Sequence, residues 1–72
     1  MLTEALKREI EVLNKMANAR ATPYHILQRR NIYVFWYQAP DDDNTDVEFF
    51  DENLTTGLNR LMREIYAYPV VW

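Results

Sequence analysis

Leu2, Leu6, Ile10, Leu13 and Ala17 recur at intervals of three and four residues, which at 100° per residue sets them on one face of a helix. The pattern predicts a helix over residues 3–20. Thr3 is its N-cap, and Glu4 lies in the first turn, where a carboxylate meets the positive end of the helix dipole. Glu4 with Arg8, and Glu11 with Lys15, stand four apart in the better orientation for ion pairs. A second stripe of Ala5, Val12, Met16 and Ala19 runs beside the first, interrupted by Glu9. A helix with so wide an apolar face is wedged between a sheet and another helix, or else packs also on a second copy or another protein.

Residues 22–30 carry two patterns. Thr22-Pro23 suits a helix start, yet Tyr24, Ile26 and Gln28 alternate with the opposite face as an edge strand does. The strand is preferred, because Arg29 to Asn31 then makes a tight turn. Ile32 to Tyr37 is the clearest strand in the chain, every residue being β-branched or aromatic. Ile32, Val34 and Trp36 point to one side, and Tyr33, Phe35 and Tyr37 to the other. Such a run needs pairing on both edges, or it templates aggregation. A polar loop over residues 38–45 leads to a returning strand over residues 46–50, with Val47 and Phe49 on one face and Glu48 and Phe50 on the other. Leu54, Leu58, Leu61, Met62 and Ile65 then give a clean helical stripe over residues 54–66. Asp51 or Asn53 caps it, and Asn59, Arg60 and Arg63 take the solvated side. Gly57, at the rim of the stripe, is read as a point of close approach. The apolar tail from Tyr66 to Trp72 should dock on the sheet or on a partner.

The expected architecture is a single α+β domain over residues 1–72. Two amphipathic helices pack on one face of a small antiparallel sheet, in the order α-β-β-β-α, or α-α-β-β-α if residues 22–30 are helical. Two short helices cover one face of three strands and not both. The sequence reading assigns the open face to Tyr33, Phe35 and Tyr37 with Phe50, an aromatic patch on the order of several hundred Å², large enough to mark a binding or self-association surface.

Composition then removes most chemistry. The 72 residues include no Cys and no Ser, one Gly and one His. Disulfides, thiolate and serine nucleophiles, phosphate-cradling glycine loops and multi-histidine metal centres are all excluded. Asp41, Asp43, Thr45 and Glu52 fall at positions of a calcium-loop frame, but Asp46 stands where that frame needs Gly and Glu48 where it takes an apolar residue. His25 has no orienting carboxylate nearby in sequence, and the carboxylates sit on a loop tip without fixed geometry. The reading is therefore no enzyme, with no catalytic residue, cofactor or metal ligand assigned. No N-terminal apolar run marks a signal peptide and no stretch is long enough to span a bilayer, so a cytoplasmic location without membrane contact is expected.

Charge is segregated. The net charge is −3, yet residues 41–53 hold seven acids and no base, while residues 1–40 hold six bases against three acids. An acidic segment of this density is a solubilising loop or a docking site for a basic partner. The expectation is a small acidic protein-interaction module, a homodimer that regulates or inhibits a protein partner. Tyr33, Phe35, Tyr37 and Phe50 would be its apolar anchors, and Asp41, Asp42, Asp43 and Asp46 its electrostatic selector. Its size and charge suit an accessory protein of a phage or mobile element. The alternative is single-stranded nucleic-acid binding, with bases stacked on the aromatic face beside Arg29 and Arg30. The element order resembles that of double-stranded-RNA-binding domains, but Asp51-Glu52-Asn53 stands where those domains place lysines. A chain of negative net charge lacks the main electrostatic term for nucleic acid, so that class of partner is disfavoured.

Overall fold

Both helices begin at the caps their sequences offer. In the computed structural model, which describes residues 2–41 and 43–68, the Thr3 side chain accepts from the Leu6 N–H and opens α1, Glu4–Ala19. The Asn53 side chain accepts from the Thr56 N–H and opens α2, Leu54–Tyr66. α1 closes with paired bonds, Thr22 N–H to Ala17 O at 2.8 Å and Ala21 N–H to Asn18 O at 3.2 Å. That bond pattern wants a left-handed residue after the cap, usually Gly; here Ala21 takes it, at φ 53°. Glu4 pairs with Lys7 at 3.7 Å, one residue short of the Arg8 partner expected from sequence.

Between the helices run three strands, β1 (Tyr24–Arg29), β2 (Ile32–Gln38) and β3 (Asp46–Asp51), in the order β1-β2-β3 and antiparallel throughout. Residues 24–29 are thus strand, and the α-β-β-β-α order holds. The apolar β2 is central and paired on both edges, as its composition demands. Both helices lie on one side of the sheet.

The layer between helices and sheet is the core: Leu13, Phe35, Leu58, Leu61 and Ile65 are its fully buried large side chains, and Phe49 stacks on Phe35 with ring centroids 5.0 Å apart. Gly57 explains why Phe35 points this way. A Cβ built on Gly57 would overlap Cζ and Cε1 of Phe35, so the glycine lets α2 close onto the tip of the ring. Polar contacts fasten the same layer. Tyr37 Oη donates to Glu64 Oε1 at 3.0 Å, and Arg60 Nε donates to Glu64 Oε2 at 2.6 Å while its guanidinium lies 4.2 Å above the Phe49 ring centroid. Arg60 therefore joins the helix to the sheet and does not belong to a purely solvated face. Tyr68 packs edge-on against Tyr37, and its carbonyl accepts from Arg20 Nε at 2.9 Å, tying the C-terminal ends of the two helices together. The tail is thus docked as far as Tyr68; residues 69–72 lie outside the described residues.

Candidate functional site

The register decides which side chains each face of the sheet carries. Phe35 stands opposite Ile26 and Phe49, and Tyr37 opposite Tyr24 and Val47; all six lie on the helix side. Phe35 is 0% and Tyr37 2% exposed. The assignment of Tyr33, Phe35 and Tyr37 to the open face is therefore corrected by one residue of parity. Three of the expected anchors are on the covered side. Tyr33, half-buried, lines a hollow there with Leu2, Leu54 and Glu52. The physical reason is that both faces of β2 are apolar, so its own pattern cannot choose between them. In the fold it is Phe35 that lies against Gly57, which fixes the parity of the strand.

The open face carries the other parity. One row across the strands is Leu27, Val34 and Phe50; the next is His25, Trp36 and Glu48. Arg29 lies beside Ile32 at one end, and Asp46 beside Gln38 at the other. Leu27 and Phe50 are 44% and 54% exposed, flanking the buried Val34. The His25 ring stacks face to face on Trp36 at 4.5 Å with 17° between planes, which holds the two rings in one orientation. Among the described residues no element covers this apolar strip.

Its two edges differ in charge. β1 contributes the Arg29 guanidinium beside the imidazole of His25, whereas β3 contributes the carboxylates of Asp46 and Glu48, and among the described residues none of these is in an ion pair. Of the expected site residues, the structure brings Phe50 and Asp46 to this face. Asp41 and Asp43 sit in the loop before β3, where Asp41 Oδ1 accepts from the Thr45 N–H at 3.2 Å and shapes the turn. Asp42 lies outside the described residues. The sequence reading missed His25, Leu27, Val34, Trp36 and Glu48. A signal was present, since Asp46, Glu48 and Gln38 share one face, and polar side chains mark the solvent side of a sheet. Reading it required the β2–β3 register, which the length of the intervening loop leaves open.

A second apolar feature lies on the far side of the molecule. Val12, Met16, Met62 and Tyr66, with Asn59 and Arg63, line an open groove of about 620 Å³ along the outer seam of the helices. The second stripe of α1 thus forms one wall of a helix–helix groove. Within that stripe, Glu9 Oε2 is buried without a hydrogen-bond partner.

Two phenols on the covered side have perturbed ionisation. Burial, then the hydrogen bond to Glu64 and the neighbouring negative charge, push the Tyr37 phenol far above its ordinary value. Burial alone raises Tyr24, whose hydroxyl donates to Asn14 Oδ1. Both shifts stabilise the neutral phenol and neither group faces an open cleft, so their role is structural. Among the described residues no three His, Asp or Glu side chains converge to hold a metal ion. Nor is any helix there long and apolar enough to cross a membrane. No family model, curated protein or solved structure matches the chain.

Proposed function

We propose that this chain is a small protein-interaction module. It self-associates through the open face of its sheet and leaves the acidic loop over residues 41–46 to select a basic protein partner, which it regulates by occupying it. The observation that carries this reading is the uncovered strip of Leu27, Trp36 and Phe50 around the buried Val34, with Arg29 along one edge and Asp46 and Glu48 along the other. Apolar cores with charged rims are the anatomy of protein interfaces, and the two signs suit a surface that must fit itself.

Nucleic acid is less well served. Phe35 and Tyr37 have no ring face open to a base, Trp36 is already stacked by His25, and Asp46 and Glu48 would repel a phosphate backbone. The reading is tested by absolute mass from light scattering at low and high salt, for the native chain and for Phe50→Glu. A native chain above monomer mass, with Phe50→Glu folded and monomeric, is the expected result. A native chain that stays monomeric at the highest attainable concentration overturns self-association.

A further inference from the structure

The register goes further and orients the second copy. We infer that two copies stack open face to open face about a two-fold axis running along β2, so that β1 of each lies over β3 of the other; this rests on reading the open face as the self-association surface. A rotation about that axis keeps every cross-strand row at its own level and exchanges its two ends. Leu27 then meets the partner's Phe50, and His25 meets the partner's Glu48, while Val34 and Trp36 face their own counterparts on the axis. The pairing of His25 with Glu48 is made twice by symmetry, while Arg29 and Asp46, at opposite ends of the strip, do not meet. The other in-plane two-fold, perpendicular to the strands, sets β3 over β3. With that axis midway between the two rows, Glu48 would lie against the partner's Phe50 ring, and at any level both acidic edges are gathered together, leaving charges desolvated without counter-charges. Aligned sheets pack with strands within about 30° and about 10 Å apart, which brings side chains of facing rows into contact.

The same geometry sets the strength. Strands about 4.8 Å apart and a seven-residue β2 of about 3.4 Å per residue make a face on the order of 300 Å² in each copy. That lies well below the area of stable complexes and within the weak class. Association through this face alone should therefore be weak and dependent on concentration.

The test is sedimentation equilibrium of the full chain, with Phe50→Glu, His25→Glu and Glu48→Lys, and with a one-to-one mixture of the last two. Circular dichroism checks that each variant is folded. The arrangement expects His25→Glu and Glu48→Lys each to self-associate about tenfold more weakly than the native chain. The mixture should regain most of the native affinity, because Glu at position 25 then faces Lys at position 48. His25 and Glu48 of one chain are two strands apart, on either side of Trp36, so recovery in the mixture reports a contact between chains. If Phe50→Glu abolishes association but the mixture is no tighter than its components, the face is right and this orientation is wrong. If the native chain dimerises and Phe50→Glu leaves it dimeric, another surface, such as the helix groove, holds the copies together and the orientation falls. A native monomer at about 1 mM overturns both the orientation and the self-association beneath it.

Discussion

At residue scale, the contact between Gly57 and Phe35 has the largest consequences. Ala is normally the better helix residue by about 1 kcal/mol, but here a Cβ would overlap a ring that is fully buried and stacked on Phe49. Overpacking of this kind costs about 1–3 kcal/mol and outweighs the propensity gain. Gly57→Ala should therefore lower the urea midpoint, and Phe35→Leu in the Gly57→Ala background should cost less than in the native chain. A midpoint raised by Gly57→Ala would show that the ring is not seated on the helix. Close approach at Gly57 was legible in the sequence. Which aromatic approached was not, because Phe35 and Trp36 are both flat, apolar and adjacent, and the choice between them reverses the whole sheet.

The same layer fixes a dependence on alkaline pH. The buried Tyr37 phenol, bonded to Glu64, holds its proton far above the ordinary value for tyrosine. The unfolded chain releases that proton near pH 10. Below about pH 10 both states are protonated and the contribution is complete. Above it the unfolded state ionises first, and stability falls until the folded phenol would itself titrate. Denaturant unfolding followed by circular dichroism between about pH 9 and 12 should show stability falling as pH rises. Tyr37→Phe should flatten that decline while losing the hydrogen bond at every pH. An unchanged slope in Tyr37→Phe would place the titrating group elsewhere.

At the scale of elements, the period of the apolar positions locates both helices and the strands β2 and β3 to within a residue at each end. The 3.6-residue stripes of α1 and α2 and the β-branched and aromatic run of β2 are long enough to be unambiguous, and the caps at Thr3 and Asn53 fall one residue before each helix. Residues 22–30 were the exception, because Thr22-Pro23 and an alternating run suit helix and strand alike; pairing of Tyr24–Arg29 with β2 decides for strand. What period cannot give is how two elements meet. The second stripe of α1 was visible, but its role as the wall of a groove against Met62 and Tyr66 depends on where α2 lies. Glu9 makes that seam imperfect, since one carboxylate oxygen is buried with no partner. Removing an unsatisfied buried acceptor recovers its desolvation penalty, about 1 kcal/mol or more. Glu9→Met, a long, adaptable side chain that also favours helix, should raise the thermal midpoint by about 5 °C for a domain of this size. A midpoint unchanged or lowered would mean that the Glu9 carboxylate is satisfied in solution.

The Cα atoms of the described residues extend 35 × 23 × 14 Å along their principal axes, a plate with one face of its sheet under helices. A chain of 72 residues without disulfides has little stability in reserve. Any association of the folded form must then show in its melting, since what binds the native state alone stabilises it by mass action. At about ten times the dissociation constant the gain is about 1.4 kcal/mol, or about 5–10 °C in the midpoint, and it vanishes well below that concentration. Phe50→Ser separates this effect from core stability. The ring is more than half exposed in one copy, so its loss should barely change the dilute midpoint. The rise with concentration, by contrast, should disappear, because the ring is an anchor of the shared face. Scanning calorimetry of both chains across about three decades of concentration around the dissociation constant tests this directly. The expected result is a native curve that climbs and a Phe50→Ser curve that stays level, the two meeting at dilution. Parallel curves would show that Phe50 serves only its own fold, and a level native curve would show that the open face binds no second copy.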